Sequence, residues 1–105
     1  MNKNIYHEIN NIIDKNRVVL FMKGTPKTPL CGFSASVVNI LDILKVNFIG
    51  VDVLKNDTLR QSIKAFSDWP TIPQLYINKE FIGGCDITQT IYENGELQKL
   101  LHIRK

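Results

Sequence analysis

Cysteine is scarce in this chain of 105 residues, which holds two: Cys31 and Cys85. A disulfide scaffold is thereby excluded, and in a reducing compartment both side chains are expected to be thiols. Long apolar runs are missing as well. No stretch approaches the roughly 20 residues that cross a bilayer, so no membrane partner is expected. The first residues, Met1-Asn2-Lys3-Asn4, run straight into an amphipathic segment with acidic residues and no hydrophobic signal core. A cytosolic location is the expectation. The net charge of +3 is small and spread along the chain without a basic run, which argues against a nucleic-acid partner. Repeats, linkers and low-complexity tracts are absent, and 44% hydrophobic against 22% charged residues excludes disorder. One domain over 1–105 is expected. His7 and His102 lack ligand spacing, and the last residues, His102-Ile103-Arg104-Lys105, read as a solvated end.

Against this plain background one stretch stands out, Lys23-Gly24-Thr25-Pro26-Lys27-Thr28-Pro29-Leu30-Cys31-Gly32-Phe33-Ser34. The run Val18-Val19-Leu20-Phe21-Met22 leads in and reads as a strand covered on both faces. Apolar residues at helical spacing, Phe33, Val37, Ile40, Leu41 and Leu44, lead out. A Pro/Gly loop thus delivers Cys31 to the expected first turn of a helix. Unpaired N–H groups and a partial positive charge favour a thiolate there, a better nucleophile and metal ligand than the thiol. The plain alternative is a small buried cysteine that only packs.

Taken in order, Ile5, Ile9, Ile12 and Ile13 predict a first helix from Asn4 to Lys15, followed by the strand Val18 to Met22 and a helix from Gly32 to Leu44. Asn47 to Val53 is β-rich, and the helix between it and the first strand makes a parallel βαβ unit the economical assignment. Asn56 or Asp57 can cap a third helix with Leu59, Ile63 and Phe66 on its apolar face. Pro70 and Pro73 end it. Gln74 to Ile77, Asn78-Lys79 and Glu80 to Gly83 read as a tight hairpin. A helix carrying Ile87, Ile91 and Tyr92 follows, Gly95 interrupts it, and Glu96 to Leu101 forms a last short turn or helix. The order αβαβαββα predicts an α/β sandwich: a mixed four-stranded sheet with helices on both faces, the arrangement of a thioredoxin-like domain.

Cys31-Gly32-Phe33-Ser34 resembles the active-site tetrapeptide of monothiol glutaredoxins, including the bacterial single-domain ones. The resemblance extends through Phe21-Met22-Lys23-Gly24-Thr25-Pro26, Trp69-Pro70-Thr71-Ile72-Pro73-Gln74-Leu75 and Gly83-Gly84-Cys85-Asp86, and so covers nearly the whole chain. Ser34 stands where a two-cysteine motif carries its second thiol. A hydroxyl cannot resolve a mixed disulfide, so the chemistry left needs one thiolate and an external thiol, for which glutathione is the natural cytosolic supplier. Ser34 is otherwise a first-turn hydroxyl making local hydrogen bonds.

The resemblance implies the remaining site residues. Lys23, unless merely solvated, stabilises the Cys31 thiolate and pairs with the glycyl carboxylate of glutathione, and Arg60 matches a second carboxylate-binding position. Ile72-Pro73 looks like the family's cis-proline bond, which would turn the Ile72 N–H and C=O toward the cysteinyl backbone of glutathione; a trans proline starting a strand is the plain alternative. Some relatives carry an aromatic residue where Ile72 stands. The glycines up to Gly84 leave N–H groups open at a helix start. By resemblance Cys85 and Asp86 receive the γ-glutamyl end, while an ordinary reading makes Asp86 an N-cap and Cys85 a buried filler or a second nucleophile. Trp69 reads as a packing anchor.

A [2Fe–2S] cluster needs four ligands, usually thiolates. The resemblance implies a homodimer in which two Cys31 thiolates and two glutathiones hold one labile cluster for delivery to apo-proteins, with a BolA-like protein as a further partner. The second reading is a glutathione-dependent oxidoreductase with Cys31 as nucleophile. The insertion Thr25-Pro26-Lys27-Thr28-Pro29 resembles the cluster-binding members, which are poor reductases. A third reading, an interaction domain with a decayed site, fits badly with every site element being present.

Overall fold

The structure is a computed structural model and describes residues 3–102. The expected solvated tail at 103–105 lies outside the described residues. Helix α1 spans Lys3–Lys15, β1 Val18–Met22, α2 Gly32–Ile43, β2 Ile49–Asp52, α3 Asp57–Ser67, β3 Gln74–Ile77, β4 Glu80–Gly83, α4 Cys85–Glu93 and α5 Glu96–Leu100. The sheet order is β2-β1-β3-β4. The strands β1 and β2 run parallel, and the β1–β3 and β3–β4 pairs are antiparallel. The mixed sheet expected from the sequence is therefore present.

Strand β1 shows how one run of five residues organises both layers. Period-2 geometry sends Val18, Leu20 and Met22 to one face, where they join Val37, Leu41, Leu75 and Ile91 from α2, β3 and α4. Val19 and Phe21 go to the other face and join Ile9, Ile63 and Tyr76 from α1, α3 and β3. All five β1 side chains are buried, as the unbroken apolar run requires of a strand covered on both sides. Each is worth about 1.5–3 kcal/mol of transfer free energy, so this strand anchors the layout.

The turns follow local chemistry. Asn56 caps α3, its side chain accepting from the Leu59 N–H at 3.1 Å. The hairpin turn Asn78-Lys79 has φ of 51° and 73° at its two residues, the twist that two-residue loops favour. Strand β2 is shorter than the β-rich stretch 47–53. The Asp52 carboxylate accepts from the Leu54 N–H at 2.9 Å and bends Val53–Lys55 into a 3₁₀ turn instead. Among the described residues no helix is long and apolar enough to cross a membrane.

Candidate functional site

The loop between β1 and α2 is closed on itself and tied to the sheet. The Leu30 N–H donates to the Lys23 carbonyl at 2.9 Å, and Thr25 and Thr28 exchange backbone hydrogen bonds of 3.2 and 3.0 Å. Gly24 takes φ +89°, and a Cβ there would stand 2.5 Å from the Thr28 carbonyl oxygen, so glycine is required. Its N–H donates to the Asp52 carboxylate at 3.0 Å. Pro26 seats on Gly50 of β2, where a Cβ would come within 2.5 Å of the proline ring.

This loop presents Cys31 one residue earlier than expected, as the N-cap of α2 and not within its first turn. The helix has no side-chain cap hydrogen bond, yet the nearby amides act on the sulfur. The Ser34 amide holds the Cys31 thiol below its ordinary pKa; partial burial opposes it, and the Phe33 amide and the Lys23 ammonium reinforce it. The Ser34 hydroxyl is fully buried and accepts from the Lys23 N–H at 3.1 Å. Its partner lies 11 residues away, so it joins strand end to helix start, and the same hydroxyl also acts locally by hydrogen bonding toward the Cys31 sulfur.

A cleft of about 480 Å³ runs beside Cys31. Its walls come from Lys23 after β1, Phe33 on α2, Lys64 on α3, the arm 69–73, and residues 84–87 at the start of α4. The Ile72-Pro73 bond in that arm is cis. Gly84 is the N-cap of α4, with Cys85 and Asp86 in its first turn. Asp86 is therefore not the cap, because the extended Gly84 backbone already occupies that place. Cys85 is half-buried. Burial pushes its thiol up in pKa, the charges of Asp86 and Cys31 push further, and the Ser36 hydroxyl opposes them. Of the two thiols, Cys31 is the one prepared to ionise.

Lys23, Cys31, Ile72, Pro73, Gly84, Cys85 and Asp86 thus lie on one cleft. Arg60 does not line it; its guanidinium pairs with Asp57 at 2.6 Å, one turn back on α3. Lys64 lines it instead and was not singled out from the sequence. Helical spacing offered the signal, since Arg60 and Lys64 are i,i+4 neighbours, but not which of them reaches the cleft. Trp69 packs on Phe81 with ring centroids 5.5 Å apart, as an anchor would, and also lines the cleft.

The glutaredoxin family model matches residues 18–82, which contain every one of these elements except the start of α4. The chain belongs to the glutaredoxin family. Its monothiol branch is marked by a Rickettsia typhi protein described as "Probable monothiol glutaredoxin 2", 58% identical over 100 residues that make up 95% of this chain and 89% of that protein. The solution structure of reduced poplar apo GrxS14 superposes with a TM-score of 0.84 at 49% identity, covering 93% of this chain and 90% of the other. A buckwheat glutaredoxin–glutathione complex superposes at 0.85 but with 21% identity, covering 95% and 89%, and speaks for the fold alone. In this monothiol glutaredoxin Ser34 fills the position of a second thiol, and its burial explains why a small hydroxyl suits it.

Proposed function

We propose that this monothiol glutaredoxin binds glutathione in the cleft and carries a labile [2Fe–2S] cluster as cargo, held between two copies. The observation that carries the reading is the meeting of one ionisable thiol, Cys31, with a cleft that has cationic and amide-rich ends. Lys23 and Lys64 suit the glycyl carboxylate, with Arg60 one turn behind Lys64. The Ile72 backbone suits the cysteinyl unit, and the first N–H groups of α4 with Asp86 suit the γ-glutamyl carboxylate and ammonium. A glutathione so placed brings its own thiol toward Cys31.

The donor set agrees with shared ligation. Among the described residues no three His, Cys, Asp or Glu side chains group to hold a metal, and of the two thiols on the cleft Cys31 is the one lowered in pKa, so it is the thiolate each copy offers. Two Cys31 and two glutathione thiolates complete four ligands. Exposed Leu30 and Phe33, at 64% and 63%, flank Cys31 and give two copies apolar surface to bury on assembly. Apo iron–sulfur proteins and a BolA-like protein are the partners we propose, in a reducing compartment such as the cytosol.

Anaerobic reconstitution with iron, sulfide and glutathione tests this, read by visible absorption and gel filtration. A coloured dimer is expected, and Cys31→Ser loses both colour and dimerisation. A colourless monomer that rapidly reduces glutathionylated protein would overturn the carrier reading in favour of the oxidoreductase. There the Cys31 thiolate attacks the glutathionyl sulfur, releasing the protein thiolate, and a second glutathione thiolate then attacks the same glutathionyl sulfur, forming oxidised glutathione and releasing the Cys31 thiolate.

A further inference from the structure

The arm 69–73 forms one wall of the cleft, yet it is neither helix nor strand and needs something to hold its backbone. Gln74 stands immediately after it, fully buried, as the first residue of β3. A buried primary amide is costly unless its groups are paired. Both N–H groups of Gln74 are spent on the arm: Nε2 donates to the Trp69 carbonyl at 3.1 Å and to the Thr71 carbonyl at 3.2 Å. The Ile72 N–H and C=O take no part in this clamp.

Clamping works only if the amide faces the right way. Rotated by half a turn, it would set Oε1 against two carbonyl oxygens. The Tyr76 hydroxyl selects the working orientation by donating to Oε1 at 3.4 Å. Tyr76 is itself fixed, 3% exposed, with its ring against Phe21 and Phe81 at 5.6 and 5.4 Å. Gln74 pairs with Phe21 in the β1–β3 ladder. The chain of contacts runs from the central strand, through Tyr76 and Gln74, to the wall of the cleft.

We infer that Gln74 is a positioning residue for ligand binding: its amide turns the Trp69 and Thr71 carbonyls inward so that the Ile72 backbone is left facing the cleft, and Tyr76 keys the amide. This rests on the proposed glutathione reading and assigns which buried groups set the affinity of that site.

The test is a glutathione titration followed by ¹H–¹⁵N NMR on the full chain. In the wild type the amides of Ile72, Cys85 and Asp86 are expected to shift. Gln74→Glu keeps the shape but replaces two donors by a carboxylate oxygen. It should weaken glutathione about tenfold or more, as expected when two buried acceptors lose their donors. Ile72 should stop responding while Cys85 and Asp86 still shift. Tyr76→Phe keeps the ring packing, and should give the same pattern with a loss of about threefold. It decides the matter if Gln74→Glu does not fold. Wild-type affinity with an unchanged Ile72 response in the variants overturns the inference alone. A wild type that itself shows no response to glutathione overturns the reading beneath it.

Discussion

The backbone N–H of Lys23 donates to the buried hydroxyl of Ser34 at 3.1 Å, bolting the end of β1 to the first turn of α2. Ser34→Ala leaves that part-buried N–H without its acceptor, a loss of about 1 kcal/mol. Urea unfolding is expected to show it as a lower midpoint with unchanged slope. Wild-type stability in Ser34→Ala would mean that the bolt carries no load. Ser34→Cys, for its part, places a thiol where it is shielded. Alkylation of this folded variant, which has three thiols, should remain fastest at Cys31.

The two native thiols should separate on a pH scale. Cys31 lies below the ordinary thiol pKa and Cys85 above it. Raising the pH should therefore bring the iodoacetamide reaction of Cys31 to its plateau first, with Cys85 still unreacted; lowering the pH removes the Cys31 thiolate last. Peptide mapping by mass spectrometry after timed quenching reads the order. Lys23→Gln removes one of the lowering influences and should shift the Cys31 profile to higher pH. Reaction of Cys85 first would contradict the assignment.

Lys64 and Arg60 can be told apart by substitution. Lys64→Gln removes a cleft-lining ammonium and should weaken glutathione severalfold, less so at high salt. Arg60→Gln breaks an exposed pair with Asp57, worth at most about 1 kcal/mol, and should affect the ligand less. Calorimetry at two ionic strengths measures both. The reverse ranking would mean that Arg60 leaves Asp57 and takes the carboxylate itself.

Gly50 and Pro26 should be coupled. A Gly50→Ala methyl meets the Pro26 ring at 2.5 Å and the Met22 sulfur at 3.1 Å. The clash is expected to cost about 1–3 kcal/mol as overpacking. Pro26→Ala makes room, so the double variant should recover much of that loss in thermal unfolding. Simple additivity of the two substitutions would show that the loop does not rest on the strand.

The sheet was legible because its signals are local. The unbroken run at 18–22 marks a doubly covered strand, and Asn78-Lys79 between two β-rich segments marks a hairpin. The cleft was legible only through motifs. Spacing alone placed Arg60 and Lys64 on the same helix without saying which reaches inward, since that depends on how α3 lies against the sheet. Trp69 read as an anchor because the cleft that it also lines is completed by residues 84–87, far along the chain. The 3₁₀ turn at 53–55 escaped notice because a single aspartate oxygen outweighs the β preference of Val53 there. Gln74 gave no polar signal of its own; only its burial reveals that both of its N–H groups are committed.

Asp52 accepts from the loop N–H of Gly24 across 28 residues of sequence and from Leu54 beside it. The shape of the thiol's loop is thus a property of the closed parallel pair. A chain emerging residue by residue from the ribosome carries Cys31 well before it carries Asp52. Until β2 has been made and has docked, the Gly24 N–H at the start of that loop lacks its Asp52 acceptor. The loop that carries Cys31 is thus fastened only when the sheet is complete, so its final geometry arrives late in synthesis although its residues come early.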